Sequence, residues 1–167
     1  AFYDQWLDST MLYSSGLYDH PGTTLEEAQA RKLGRILSLL SCPADAEVLE
    51  IGCGWGALAT ALGQAAPAGR ITGLTLSTEQ LDHARDRVAA AGLQDRVDLR
   101  LQDYRDVEGQ FDRIVSIEML EAVGERYWPA YFDTLRQRLK AGGTAVVQVI
   151  SIAEDRFEQY RQHPDFI

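Results

Sequence analysis

A glycine-rich turn, Gly52-Cys53-Gly54-Trp55-Gly56, is the part of this chain best suited to chemistry on a bound ligand. It follows the mainly apolar residues 48–51 and precedes a run of small residues. This order is typical of a buried parallel strand, a tight loop and a closely packed helix, with a ligand held at the loop. The turn therefore indicates a nucleotide site.

The spacing and the neighbouring charge favour S-adenosylmethionine as that nucleotide. The turn reads G-x-G-x-G, whereas a dinucleotide site reads G-x-G-x-x-G and faces a pyrophosphate. Glu50, just before the turn, would oppose a pyrophosphate but suits a ligand with an ammonium group and a sulfonium. After the second predicted strand stand Thr75 and Gln80, not the acid expected for a nicotinamide dinucleotide, so an NAD-linked oxidoreductase is disfavoured.

Four further side chains have both a functional and a structural interpretation. Asp103 and Tyr104 follow the third predicted strand, where they would contact an adenine or serve ordinary turn chemistry. Glu118 and Glu121 follow the fourth, where they would take part in catalysis or provide favourable charges at a helix start. The residue patterns alone leave both pairs open.

Hydrophobic periodicity predicts the elements that position these residues. The first helix covers 23–40, with a Thr-x-x-Glu capping box and Pro43 as its stop. Helices are also predicted at 56–66, 77–92, 126–143 and 153–163, and strands at 46–52, 70–76, 96–104, 111–119 and 144–150. Ser77 with Gln80 predicts a second capping box, and the glycines at 142 and 143 end the fourth helix. Alternating strands and helices predict a single α/β domain with a doubly wound parallel sheet.

Composition narrows the possible partners and locations. The net charge of −9 disfavours nucleic acid as a partner. The same charge would repel anionic lipid unless a local basic patch, such as residues 30–35, contacted the membrane. The alternative interpretation of this patch is a solvated helix face. Cys42 and Cys53 form no close pair or metal-type cluster, so neither a disulfide framework nor a metal site is expected. No apolar run long enough to span a membrane and no signal peptide are visible, which predicts a cytoplasmic protein.

The chain resembles the cyclopropane-fatty-acid synthase family of S-adenosylmethionine-dependent methyltransferases, which includes the mycolic acid methyltransferases. The matching motifs are "MLYSSGLY", "TLEEAQARK", "LEIGCGWG", "GLTLSTEQ", "DYRD", "FDRIVSIEMLEAVGERYWPAYF" and "GGTAVVQVISI". They occur in the family's order and cover nearly the whole chain. The resemblance implies a Rossmann-like class I methyltransferase fold.

The resemblance also implies the reaction. The family transfers the methyl group of S-adenosylmethionine to a cis double bond in an unsaturated phospholipid acyl chain. A bound bicarbonate then removes a proton from the resulting carbocation so that a cyclopropane ring closes. The implied location is cytoplasmic and peripheral at the inner membrane surface, with a homodimer as the possible assembly.

The resemblance assigns site residues and boundaries. Residues 1–22 would close over cofactor and substrate, residues 23–167 would form the core, and the family's last two strands and a further tyrosine would lie beyond Ile167. Ser15, Glu121, Gln148 and Ile150 would surround the bicarbonate. The cofactor residues expected from the turn and the resemblance together are Tyr13, Ser14, Glu50, Gly52, Gly54, Gly56, Thr75, Gln80, Asp103 and Tyr104.

Three positions depart from the best-known members. Ser15 stands where many have Cys, Gln148 where many have His, and Ala122 replaces a His beside Glu121. Gln cannot become cationic, so it would hold bicarbonate differently from His, and a delayed or displaced proton loss would give the alternative product, a methylene or methyl branch in place of a ring. The alternatives are a small-molecule methyltransferase of the same fold and a degenerate cofactor-binding scaffold.

Overall fold

The computed structural model describes residues 5–163; residues 1–4, the start of the predicted N-terminal segment, and 164–167 lie outside the described part. The helices are α1 (Leu25–Leu40), α2 (Ala57–Ala65), α3 (Thr78–Ala90), α4 (Trp128–Arg138) and α5 (Glu154–Gln162). The strands are β1 (Glu47–Ile51), β2 (Arg70–Thr75), β3 (Val97–Leu101), β4 (Phe111–Ile117) and β5 (Leu139–Gln148). Every helix and strand predicted from the sequence is present.

The five strands form one parallel sheet in the order β3-β2-β1-β4-β5. The chain winds outward from β1 through β2 to β3, and then returns to place β4 on the other side of β1. The predicted doubly wound α/β fold is confirmed. The order reverses between β1 and β4, and in such sheets ligands bind outside the carboxyl ends of the strands at this reversal.

Side chains of the central strand β1 point alternately to the two faces of the sheet and pack into two separate hydrophobic clusters. Val48 packs with residues of α1, α2 and α3, among them Leu40, Leu62 and Ala84. The next residue, Leu49, packs on the opposite face with Tyr131 of α4. Because both faces of β1 are covered, the strand is buried along four of its five residues, and the glycine turn starts from a rigid base.

The helix starts follow the sequence closely, with one difference. Thr24 and Glu27 form the predicted capping box of α1. At α3, the Ser77 side chain accepts from the Gln80 backbone N–H, but the Gln80 side chain bonds Thr75 Oγ1 at 3.0 Å and does not return to Ser77. The backbone N–H of Ser77 instead donates to Thr75 Oγ1 at 3.2 Å. The predicted second capping box is therefore only half formed.

The end of α4 was predicted too late. The helix stops at Arg138, and Leu139 turns to an extended conformation and pairs with Phe111 of β4. The next pair joins Arg113 to Thr144, so residues 140–143 bulge out of register within β5. Leu139 packs against the cluster that includes Phe111, which explains why the strand begins before the glycines.

Within residues 5–163, no helix combines the length and the apolar character that a membrane span requires.

Candidate active site

The glycine turn is held against the sheet by backbone hydrogen bonds. The N–H groups of Gly52 and Cys53 both donate to the carbonyl of Leu74, at 3.0 and 2.8 Å. Gly56 has φ +83, and a Cβ there would lie 2.7 Å from the Cβ of Ala84 on α3. Any side chain at this position would therefore push α2 and α3 apart. Gly54 has φ +50, and its nearest neighbour is the Tyr13 ring, 3.5 Å from where a Cβ would stand.

A cavity of about 410 Å³ opens at the carboxyl edge of the sheet beside this turn. Gly52, Thr75, Gln80, Asp103 and Tyr104, all predicted cofactor residues, line it. The remaining lining residues, which sequence reasoning missed, are Ile51, Leu74, Leu76, Gln102, Arg105, Met119, Ala122, Val123 and Tyr127. Most of these are apolar, a common character that suits a flat aromatic base.

Thr75 and Gln80 are locked together at the mouth of the cavity. The Thr75 hydroxyl donates to Gln80 Oε1 at 3.0 Å while accepting the Ser77 N–H. This arrangement fixes the orientation of the Gln80 side-chain carbonyl, so the Gln80 amide nitrogen remains as a hydrogen-bond donor. The pair offers neutral polar contacts where a dinucleotide fold would place a carboxylate.

Asp103 shows the turn role considered from the sequence, and it also lines the cavity. Its carboxylate accepts the Arg105 backbone N–H at 2.9 Å, which is turn chemistry, and it also binds the Arg105 side chain through Nε and Nη2 at 2.9 and 2.6 Å. The Arg105 guanidinium lowers the pKa of Asp103. Asp103 is thus ionised, and it lines the cavity next to Tyr104, whose ring packs edge-on against Tyr131 at 5.7 Å.

A second, smaller cavity adjoins the first at Gly52, which lines both. Tyr13, Ser14, Glu50 and Gly54 also line it. Glu50 is 3% exposed, and its Oε2 has no hydrogen-bond partner in the described part of the chain. Burial raises the pKa of Glu50 to about 8. A buried carboxylate with an unsatisfied oxygen fits a ligand ammonium, which would return this group to its charged form.

The N-terminal segment reaches the site because α1 anchors it. Gln29 Nε2 donates to the carbonyls of Leu12 and Ser14 at 3.1 and 2.9 Å. Lys32 Nζ donates to the Ser14 hydroxyl at 2.6 Å and to its carbonyl at 3.2 Å. Burial lowers the pKa of Lys32 to about 8, an effect opposed by the nearby carboxylates of Glu118 and Asp8.

Glu118, directly after β4, is the centre of the polar cluster at the site. Its Oε1 accepts the Ser15 N–H at 3.0 Å, the Ser15 hydroxyl at 2.5 Å and the Gln148 amide Nε2 at 2.7 Å. Its own backbone N–H donates to the Gln148 carbonyl at 2.8 Å. Glu118 has φ +49, a left-handed conformation uncommon for residues other than glycine. The surrounding contacts therefore hold it in a costly conformation.

Glu121 makes a separate contact close by. Its Oε1 accepts the backbone N–H of Ile150. The four residues predicted to surround a bicarbonate are thus divided between two carboxylates: Ser15 and Gln148 donate to Glu118, and Ile150 donates to Glu121. The sequence leaves Glu118 open to a catalytic or a helix-start role, because contacts with residues 15 and 148 leave no local mark in it.

Among residues 5–163, no three His, Cys, Asp or Glu side chains are grouped so that they could hold a metal ion.

A parallel sheet in this order, with a glycine turn after β1 and a buried acid before it, defines the class I S-adenosylmethionine-dependent methyltransferase fold. Within this class, the chain belongs to the mycolic acid cyclopropane synthetase family, whose model matches residues 1–167. The fold and the family expected from the sequence are confirmed.

Three known proteins illustrate the similarity. Tuberculostearic acid methyltransferase UfaA1 of Mycobacterium tuberculosis is 44% identical over 158 residues, which are 90% of this chain and 36% of that protein. Cyclopropane-fatty-acyl-phospholipid synthase of Escherichia coli is 38% identical over 148 residues, 89% of this chain and 37% of that protein. The crystal structure of mycolic acid cyclopropane synthase CmaA1 with SAH and CTAB has a TM-score of 0.86 at 28% identity, covering 98% of this chain and 56% of that chain.

The chain spans little more than a third of the length of these two curated relatives, and just over half of the solved one.

Proposed function

We propose that this chain is the cofactor-binding part of an S-adenosylmethionine-dependent C-methyltransferase that acts on the cis double bond of unsaturated fatty acyl chains in phospholipids. The observation that carries the proposal is the position of the segment 117–122. Ile117 lines the smaller cavity and Met119 and Ala122 line the larger one, so the segment that carries Glu118 and Glu121 borders both cavities.

The two cavities divide the cofactor between them. Thr75, Gln80, Asp103 and Tyr104 would hold the adenosine, while Glu50 and the turn at Gly52 would hold the ammonium end. S-adenosylmethionine, when bound, supplies a methyl group on a sulfonium sulfur. The chain's own contribution is to orient that group and to keep water away, because positioning alone can contribute about 7 to 11 kcal/mol.

An alkene is a weak nucleophile, and its methylation leaves a carbocation on the acyl chain. Fixed negative charge stabilises such a cation when it is held in place before the reaction. Glu118 and Glu121 are held in this way, the first by Ser15 and Gln148 and the second by the Ile150 amide.

Apolar side chains beside Ser15 support a lipid substrate. Tyr13 and Leu17, two residues before and after Ser15, are 58% and 48% exposed. Exposed large apolar groups are typical of a surface that receives an apolar ligand or a membrane. We infer that they receive the acyl chain at the membrane surface; the relatives named for fatty-acyl substrates support this inference.

A bicarbonate does not fit the site expected for it. The Ser15 and Gln148 donors predicted to hold the anion point at the Glu118 carboxylate. A second anion on these donors would sit against that carboxylate, and two like charges about 4 Å apart cost about 4 kcal/mol at an effective dielectric of ~20. We therefore assign no step to bicarbonate.

Lipid analysis of cells that express the intact protein tests the proposal. We expect fatty acids one carbon longer than the host's unsaturated chains, either cyclopropane or methylene-branched, at the expense of those chains. A matched strain expressing the Gly52→Asp variant, whose new side chain would occupy the turn, controls for host activity. An unchanged lipid profile together with methylation of small metabolites would replace the proposal with the small-molecule alternative.

A further inference from the structure

We propose that the carboxylate of Glu118 is the proton acceptor of this enzyme, in place of a bound bicarbonate. The inference rests on the proposed function, because it names the group that completes the same reaction. It starts from the three hydrogen bonds that converge on Glu118 Oε1, from the Ser15 N–H and hydroxyl and the Gln148 amide.

These donors form an anion site, and the anion that they bind is the side-chain carboxylate of Glu118. Ser15 comes from the N-terminal segment, Glu118 from the turn after β4 and Gln148 from the end of β5. The Gln148 amide also lies 3.4 Å from the Ser15 hydroxyl, so the donors contact each other as well as the carboxylate. Neutral donors of this kind suit one fixed negative charge, which a side chain supplies without the need to bind a free ion.

The backbone conformation supports a functional reason for this residue. Glu118 has φ +49, a conformation in which glycine is unstrained and glutamate is strained. The strain is maintained by the Glu118 N–H bond to the Gln148 carbonyl and by the side-chain contacts. A purely structural turn would favour glycine, so retaining a glutamate here is best explained by use of its carboxylate.

The proposed step balances as follows. Methyl transfer uses the π electrons of the alkene for the new C–C bond, and the sulfur keeps the electron pair of the broken S–C bond. The Glu118 carboxylate then accepts a proton from the transferred methyl group. The released C–H pair closes a cyclopropane ring or, if a hydride has first shifted to the cationic carbon, forms a methylene double bond. The glutamic acid returns its proton to water.

The variants Glu118→Gly and Glu118→Gln distinguish the role of the carboxylate charge from the role of the side chain in the fold. Glycine accepts φ +49 and opens the donors of Ser15 and Gln148 to a free anion, whereas glutamine fills the space without a charge. In carbonate-depleted buffer we expect the intact wild-type protein to turn over at a rate that is flat in added bicarbonate. Both variants should lose about 100-fold or more in turnover.

Added bicarbonate should restore turnover of the Glu118→Gly variant at least about 10-fold with saturation, and leave Glu118→Gln inactive. Independently of activity, NMR with isotopically labelled bicarbonate should show binding to Glu118→Gly and none to the wild type. Saturable bicarbonate binding to the wild type, or near-normal turnover of Glu118→Gln, would overturn the assignment. If the wild type methylates no lipid, the proposed function fails, and the binding comparison alone still decides whether Glu118 fills the anion site.

Discussion

Lys32 Nζ lies 2.6 Å from the hydroxyl of Ser14, and this contact joins the buried face of α1 to the N-terminal segment, which we propose as a lid over the site. Lys32 is only 4% exposed, and Ser14 is 8% exposed. On either side of Ser14, Tyr13 stands against Gly54 and lines the smaller cavity, and Ser15 donates to Glu118. The position of the lid segment therefore depends on a lysine that lines neither cavity.

Replacing this lysine should loosen the lid without removing any cofactor contact. We expect Lys32→Met to weaken binding of S-adenosylhomocysteine about 10-fold, because a hydrogen bond to a charged group contributes about 1.5 to 3 kcal/mol. Calorimetry measures the loss, and Arg35→Met, an exposed change on the same helix, should leave the affinity unaltered. Equal affinities for the two variants would mean that Lys32 does not position the lid.

Glu50 should make the empty site less stable as the pH rises. Its pKa is about 8 in the fold against an ordinary value of 4.5, so between these values the folded chain holds a proton that the unfolded chain has lost. Stability from this group is complete below about pH 4.5 and falls as the pH rises towards 8.

Glu50→Gln should therefore raise the melting temperature, and the increase should grow from pH 5 to pH 8. Each kcal/mol gained in the free energy of unfolding corresponds to an increase of about 2–4 °C in a domain of this size. The same variant should bind S-adenosylhomocysteine at least about 10-fold more weakly, since the ammonium loses its charged partner. Glu108→Gln, at an exposed position, is the control for both measurements. A gain that is independent of pH would show that Glu50 is charged in the free protein.

Two glycines of the turn should respond to alanine in different ways. In Gly56→Ala the new Cβ would stand 2.7 Å from Ala84, so we expect a loss of about 2 to 4 kcal/mol in the free energy of unfolding. In Gly54→Ala the nearest atom is 3.5 Å away, and the loss should be about 1 kcal/mol, from the positive φ alone. Urea unfolding compares the two, and equal losses would contradict the packing role of Gly56.

Glu121 should affect turnover and not cofactor binding. Its carboxylate accepts the Ile150 N–H and lines neither cavity, whereas the predicted adenosine contacts line the larger one. We expect Glu121→Gln to reduce turnover about 100-fold while changing S-adenosylhomocysteine affinity less than about threefold. Glu125→Gln, which disrupts only the surface pair with Arg161, is the matched control. Normal turnover of Glu121→Gln would return this residue to a helix-start role.

The elements and the cofactor cavity were predictable because their signals are local. Gly52 and the neutral pair Thr75 and Gln80 lie close to their own strand ends, so the order of strands brings them together at one cavity. The late end predicted for α4 shows the limit of this reasoning. Residues 126–143 carry a helical pattern, but pairing of Leu139 with Phe111 overrides it.

The arrangement of the carboxylates could not be predicted for a different reason. Glu118 and Glu121 are three residues apart and equally acidic, so their pattern does not distinguish them. What separates them is the left-handed turn at Glu118 and the approach of Ser15 and Gln148 from 103 and 30 residues away. Those contacts form only in the folded chain, where the N-terminal segment and the end of β5 pack against the end of β4.

Transfer of an isotopically labelled methyl group from S-adenosylmethionine to defined phospholipid vesicles tests the central claim most directly. With the intact protein, we predict that label enters the fatty acids of vesicles whose acyl chains carry a cis double bond, and stays out of fully saturated vesicles. Mass spectrometry would locate the label on a carbon of the former double bond. Label that appears in the headgroup or in saturated vesicles, or in no lipid while small molecules are methylated, would contradict the account.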